Sequence, residues 1–155
     1  MSPVRLWRLS AWLRSHGHRR LARLVKNFNS VIYHNSLAPA AIFAPDIRLG
    51  HHSFGTIIHS NVVIGRRVTI WHHVTIAVHA GTRSPQRIVI EDDVMIGANS
   101  VIIASGGKSL HIGAGARIGA GAVVASDVPA GATVVVPPSQ IVLAGERVKA
   151  RGRAA

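Results

Sequence analysis

The sequence predicts an all-β left-handed parallel β-helix with a short N-terminal helical segment. The first observation is a six-residue repeat of apolar residues: Ile64, Ile70 and Ile76 share one phase, and the repeat returns at 94–102 and 110–124. The second is that this period fits neither a helix of 3.6 residues per turn nor a simple two-residue strand alternation. The third is that small residues follow each apolar position, where the chain must turn tightly. A chain that turns every six residues and stacks coil on coil is a β-helix.

The repeat divides the chain into three parts. We expect a basic helical cap over 1–36, the β-helix over 37–143 and a basic tail over 144–155. Counting one flat face per apolar repeat gives about thirteen faces, or roughly four triangular coils. The coils have more outer surface than the functions of a single monomer account for, so we expect this surface to form contacts in a trimer with cyclic symmetry.

The N-terminal segment is predicted to be amphipathic. A helix is plausible from Val4 to Val25, with Gly17 dividing it into two short helices. One interpretation is a cap that covers the open first coil. The other is weak docking to an anionic membrane surface, with Trp7 and Trp12 at the interface.

Composition excludes several classes of protein. Cysteine is absent, which excludes disulfides and thiolate metal sites and fits the reducing cytoplasm. The sequence contains no apolar run long enough to span a membrane and no signal-peptide pattern. The net charge of +12 lies mostly in the two ends of the chain, and aromatic residues do not interleave with the charges. We therefore expect no nucleic-acid binding.

Three insertions interrupt the repeat. They are a bulge at 51–55 (HHSFG), a longer loop at 77–89 and a smaller one at 104–109. Interruptions do not help stacking, and loops on a rigid scaffold are where binding usually resides. The insertions therefore indicate the functional region.

Histidines cluster beside the first insertion. Six of the ten histidines lie between His51 and His79. His52 stands three residues after Leu49, and His73 stands three residues after Ile70. Those two apolar positions are three faces apart, so we expect the two histidines at the same corner, one coil or roughly 5 Å apart. A neutral imidazole there suits general-base work near pH 7.

The order of these segments resembles a known family. The chain is similar to the hexapeptide-repeat acyltransferases in four consecutive segments. These are IRLGHHSFGTIIHSNVVIGRRVTIWHHVTI, an extruded loop, IEDDVMIGANSVI and IGAGARIGAGAVVASDVPAGATVV. Within them the chain is most similar to the serine O-acetyltransferase branch. The resemblance implies a trimer with active sites between subunits, and direct acetyl transfer from acetyl-CoA to a hydroxyl acceptor.

The resemblance also implies roles for individual residues. His52 matches the catalytic histidine of the family, and His73 is the second catalytic candidate. Acceptor-binding candidates are His51, His79, Arg83 and Arg87. Candidates for binding the pantetheine arm and phosphates of CoA are Ala98, Ala120, Lys108 and Arg117.

Some features depart from the family pattern and leave alternatives open. The acid that orients the catalytic base in the family is replaced by the apolar Leu37 and Ala38, and the 77–89 loop lacks the family's glycine-rich stretch. L-serine is the first acceptor expected and a sugar or nucleotide sugar the second. A zinc enzyme of the γ-carbonic-anhydrase type and a non-catalytic scaffold are the remaining alternatives.

Overall fold

A computed structural model describes residues 2–79 and 85–137 and shows a parallel β-helix preceded by two helices. Arg83 and the predicted tail lie outside the described residues. Fourteen short strands form the coils: β1 Ser36–Leu37, β2 Ile42–Phe43, β3 Arg48–Leu49, β4 Ile57–Ile58, β5 Val62–Ile64, β6 Thr69–Ile70, β7 Thr75–Val78, β8 Ile88–Ile90, β9 Met95–Ile96, β10 Val101–Ala104, β11 Leu110–Ile112, β12 Arg117–Ile118, β13 Val123–Val124 and β14 Thr133–Val134.

The strands stack into three parallel sheets. The first sheet has the order β1-β4-β7-β10-β13, the second β2-β5-β8-β11 and the third β3-β6-β9-β12-β14. Leu49 pairs with Ile70, Ile70 with Ile96, and Ile96 with Ile118, so the apolar repeat becomes an inward column. The side chains of Ile70 and Ile96 are fully buried. The predicted β-helix, its register and its roughly four coils are confirmed.

Two of the three corners carry the insertions. The turn from the third sheet to the first consists of 50–56, 71–74, 97–100 and 119–122, and we call it the histidine corner. The turn from the first sheet to the second includes residues 79, 85–87 and 105–109, and we call it the loop corner.

The N-terminal segment forms two helices, α1 Pro3–Ser15 and α2 Arg19–Tyr33. Gly17 separates them with a φ of 84°, as predicted. The prediction that helix ends near Val25 was wrong, because α2 continues to Tyr33. Asn29 supports this last part, since its side-chain amide donates to the Pro3 carbonyl at 3.2 Å and ties α2 to the start of α1.

Trp7 anchors the helices to the first coil. Its side chain is 0% exposed, its indole N–H donates to the Ala38 carbonyl at 2.9 Å, and its ring stacks on Phe43 at 3.8 Å between centroids. The expectation that Trp7 lies at a membrane interface was therefore wrong, because the indole is needed to cover the coil. Trp12 remains 53% exposed. Within the described residues, neither helix is long and apolar enough to cross a bilayer.

Candidate active site

The bulge at the histidine corner is held in an uncommon backbone conformation. It begins with a tight turn over Gly50–Ser53 whose central residues do not have right-handed helical dihedral angles. His51, His52 and Ser53 have φ values of 44°, 54° and 58°, so three consecutive residues with side chains occupy the left-handed region. Such residues are strained, and strain of this kind concentrates at functional sites when the surroundings hold it in place.

Buried polar residues hold the bulge. Ser53 is fully buried, and its hydroxyl donates to the His52 carbonyl at 2.5 Å. The side-chain amide of Asn35 donates to the same hydroxyl oxygen at 2.8 Å. The N–H of Gly55 donates to the His34 carbonyl at 2.9 Å. The link between α2 and β1 therefore fixes the strained turn.

Four imidazoles meet at this corner. The rings of His51 and His72 lie 4.6 Å apart edge to face, and those of His72 and His73 lie 5.5 Å apart. His52 stacks instead on Tyr33, with ring centroids 6.0 Å apart. His52 and His73 lie at the same corner, as predicted. The ring that contacts the His72–His73 doublet of the next coil, however, belongs to His51. The three extra residues of the bulge change the direction of the chain here, and His52 lies toward α2.

The same backbone position recurs in every coil of this corner. Gly55, His73, Asn99 and Gly121 have φ values of 67°, 54°, 59° and 73°. The N–H groups of the last three donate to the coil above, at Phe54, His72 and Ala98, over 2.8 to 3.2 Å. Glycine and asparagine are the residues that tolerate this conformation best. A histidine at this position indicates a role that outweighs the backbone cost.

The predicted cofactor residues divide between two regions. Ala98 and Ala120 lie at the histidine corner, one and two coils from the His72–His73 doublet. Lys108 lies exposed in the turn at the loop corner, and Arg117 faces outward from β12 in the third sheet. The structure therefore brings the two alanines to the histidines and leaves the two cations apart from them within one chain.

The predicted acceptor-binding residues divide in the same way. His51 lies in the cluster, whereas His79 and Arg87 lie at the loop corner, on either side of the undescribed residues 80–84 that include Arg83. Arg87 is exposed, and its backbone N–H donates to the Ser109 hydroxyl at 3.1 Å. His73 and His79 are separated by β7, so one subunit cannot bring both to one small ligand.

The carboxylates of the described residues lie away from the imidazoles of the histidine corner. Asp46 pairs with Arg66 at 3.7 Å, and Asp93 pairs with Arg67 at 2.6 Å, at the turn from the second sheet to the third. Glu91 contacts His111 at 3.1 Å, and Asp127 accepts the His111 backbone N–H at 2.8 Å. Asp46 thus lies at a different corner from His52, as predicted. Within residues 2–79 and 85–137, no group of three or more His, Asp or Glu is placed to hold a metal ion.

Sequence reasoning missed two residues of the site. Tyr33 ends α2 and contacts His52, but a tyrosine at a helix end carries no signal in the sequence. The sequence placed His72 in a doublet with His73 but indicated no role for it. Its Nδ1 is buried and lacks a hydrogen-bond partner among the described residues. A buried polar atom without a partner at a cluster of imidazoles is typical of a place where a ligand or water binds.

Comparisons with known proteins agree with the fold and the repeat. Residues 87–126 match the family model described as the hexapeptide repeat of succinyl-transferase. The serine acetyltransferase of Mycobacterium tuberculosis is 32% identical over 135 residues, which are 87% of this chain and 57% of that protein. The serine acetyltransferase of Neisseria gonorrhoeae, solved in complex with serine, superposes with a TM-score of 0.76 at 32% identity, covering 90% of this chain and 55% of the other. That of Brucella abortus, solved in complex with coenzyme A, gives a TM-score of 0.77 at 27% identity over 90% and 54%.

Fold and repeat together define a hexapeptide-repeat protein with a left-handed β-helix. The resemblance to hexapeptide-repeat acyltransferases, and among them to serine O-acetyltransferases, is confirmed. The chain spans about half the length of the curated relatives it matches, between 49% and 57% for the first two.

Proposed function

We propose that this protein is an acetyl-CoA-dependent O-acetyltransferase, with L-serine as the first expected acceptor and a place in cysteine biosynthesis. The observation that carries the proposal is the histidine corner. A strained bulge carries His51 and His52 at the same corner as the His72–His73 doublet, the His51 ring lies beside that of His72, and Ala98 and Ala120 continue this corner along the coil axis. The serine and coenzyme A complexes of its relatives support the same chemistry.

The proposed reaction is a direct transfer. His52 removes the proton from the acceptor hydroxyl while that oxygen attacks the thioester carbonyl of acetyl-CoA. The resulting tetrahedral oxyanion is stabilised by a nearby N–H group, and collapse breaks the carbon–sulfur bond. The proton held by His52 then passes to the CoA thiolate. This gives an O-acetyl ester and free CoA without an acyl-enzyme, and holding both substrates together supplies the proximity.

A homotrimer would complete the site. Threefold packing in which the loop corner of one subunit lies beside the histidine corner of its neighbour would unite His79 and Arg87 with His52 and would let Lys108 reach the CoA phosphates. The outer side of the first sheet supports this packing, because Ile57 and Val123 are exposed apolar residues there. Light scattering measures the mass, and Val123→Asp should shift it toward the monomer.

The sharpest test removes an imidazole without altering the backbone preference. Asparagine accepts the left-handed conformation, so His52→Asn and His73→Asn isolate the ring. We expect His52→Asn to lower turnover by about two to four powers of ten, measured as free-thiol release from acetyl-CoA with serine. Asn99→Gly is the matched control, because it alters the equivalent corner position one coil further along and should retain activity. Full activity of His52→Asn would overturn the assignment of the base.

A sugar hydroxyl is the second candidate acceptor. The observation that favours it is the exposed apolar surface of the helices beside the site, which would suit an acceptor presented at a membrane. Supplying nucleotide sugars and serine in parallel in the same thiol-release assay separates the two. No affinity for acetyl-CoA at millimolar concentration in calorimetry would leave the non-catalytic scaffold as the better interpretation, and one zinc per purified chain would favour the zinc enzyme.

A further inference from the structure

Helices α1 and α2 share an apolar surface that the fold does not use. Leu9 of α1 and Leu24, Phe28 and Val31 of α2 border one open depression of about 670 Å³. Val31 is 76% exposed and Phe28 is 52% exposed. Leu21 and Ile32 are also exposed and lie three to four residues from Leu24 and Phe28 along α2, so they extend this surface, which we call the helical patch.

The helical patch is separate from the contacts that hold the helices in place. Trp7 and Leu6 of α1 and Ala22 and Asn29 of α2 are the buried residues that attach the pair to each other and to the first coil. The patch residues lie on a different side of α2. Their exposure therefore serves no purpose in packing this chain.

The charge around the patch is of one sign. Residues 1–45 contain seven Lys and Arg and no Asp or Glu, the first acidic residue being Asp46. The cations are Arg5, Arg8, Arg14, Arg19, Arg20, Arg23 and Lys26. A second copy seated on the patch would bring two helix pairs of net positive charge against each other, which is electrostatically unfavourable.

We propose that the helical patch docks on the surface of an anionic phospholipid bilayer. An amphipathic helix with Leu and Phe on one side and Arg and Lys beside them lies in the plane of the interface, with its apolar side among the upper acyl chains. Negative headgroups attract juxtaposed cations within a Debye length. Both requirements are met by α2 together with Leu9 of α1.

Docking in this way would place the histidine corner close to the lipid surface. Tyr33 is the last residue of α2 and contacts His52, so the helix that binds the bilayer leads directly into the bulge. The proposal does not depend on the acetyl-transfer chemistry. It can be tested with the full chain and lipid alone.

The experiment is co-sedimentation of the full chain with vesicles of phosphatidylcholine containing 30% phosphatidylglycerol, compared with phosphatidylcholine alone. We expect binding to the anionic vesicles at 0.1 M NaCl, with a marked loss at 0.5 M. The double variant Phe28→Ser/Val31→Ser should lower the partition coefficient by about tenfold or more, because both side chains would insert. Arg20→Gln/Arg23→Gln should weaken binding to the anionic vesicles selectively.

Val135→Ser is the matched control. Val135 is 79% exposed in the last described coil, far along the axis from the helices, and its replacement should leave vesicle binding unchanged. Absence of binding by the wild-type chain, or equal binding by wild type and Phe28→Ser/Val31→Ser, would overturn the proposal. A smaller particle mass for that double variant than for wild type in solution would also overturn it, since a second copy would then be the occupant of the patch.

Discussion

The rings of Tyr33 and His52 are stacked with centroids 6.0 Å apart and an angle of 15° between their planes. The contact joins the last residue of α2 to the strained bulge of the histidine corner. Because His52 has φ of 54°, its backbone alone does not favour this orientation. The helix end therefore positions the imidazole that we propose as the base.

We expect Tyr33→Ala to lower kcat about three- to tenfold through loss of the stacked ring, since aromatic pairs contribute about 0.5–1.5 kcal/mol. Tyr33→Phe keeps the ring and should retain most of the activity. Steady-state kinetics with acetyl-CoA and the acceptor separate the effect on kcat from that on KM. Equal kcat values for the alanine and phenylalanine variants would show that the stacking does not position His52.

Gly55 and Gly121 offer a matched pair at the same corner. Both have positive φ, of 67° and 73°, so alanine at either position costs about 1–2 kcal/mol in backbone conformation. A Cβ at Gly55 would overlap the imidazole of His73, whereas nothing lies within 4 Å of one at Gly121. We therefore expect Gly55→Ala to disturb the site and Gly121→Ala to destabilise the fold only.

The measurement combines thermal unfolding with acetyl-transfer activity. Similar losses of stability with a loss of activity confined to Gly55→Ala would support the role of His73. A Gly55→Ala enzyme as active as Gly121→Ala would instead show that the position of the His73 ring is unimportant.

The fold could be predicted from the sequence because apolar residues recur at a regular six-residue spacing. Ile64, Ile70 and Ile76 recur on one phase, and a solenoid requires only that each coil match its neighbour. The same counting placed His52 and His73 at one corner. It failed for the bulge, because three inserted residues in a segment with positive φ redirect a side chain in a way that the repeat does not predict.

The helices illustrate a second limit of the sequence. Amphipathic spacing identified them and Gly17 as their boundary, but it gave no reason to separate Trp7 from Trp12. Trp7 is buried because it contacts Ala38 and Phe43 in the first coil, more than thirty residues away. Which of two aromatic residues faces the core is decided by tertiary contacts rather than by helix periodicity.

Trp7 gives a prediction on stability. Trp7→Ala should destabilise the protein by about 3–5 kcal/mol, the range for large aromatic residues in a core, because it opens the contact between α1 and the first coil. Trp7→Phe retains the stacking on Phe43 and loses the hydrogen bond to Ala38. Loss of the hydrogen bond should cost about 1 kcal/mol, and the smaller side chain adds a packing cost.

Chemical denaturation monitored by circular dichroism distinguishes the two variants. Trp12→Ala is the control, because Trp12 is exposed and its replacement should change the free energy of unfolding little. A Trp7→Ala protein as stable as the wild type would contradict the role of Trp7 as the anchor of the helices.

The ion pair between Arg67 and Asp93 predicts how stability depends on pH. The side-chain hydrogen bond from Arg67 lowers the pKa of Asp93, although partial burial opposes this effect. A carboxyl group with a lowered pKa in the folded state stabilises the protein above its unfolded-state pKa, and this contribution disappears as the pH falls through the folded-state pKa. Asp93→Asn should therefore unfold at a lower temperature than wild type at pH 7, and the difference should shrink as the pH falls through the lowered pKa of Asp93.

Asparagine is the suitable replacement because Asp93 has φ of 61°, a conformation that asparagine tolerates. The pair is exposed, so the shift in melting temperature should be small. Arg67→Gln removes the other partner and should show the same pH dependence. Because Arg67 has φ of 54°, this replacement also changes the backbone contribution to stability, and that contribution does not vary with pH. If the difference between Asp93→Asn and wild type persisted unchanged as the pH fell through the pKa of Asp93, packing rather than charge would account for it.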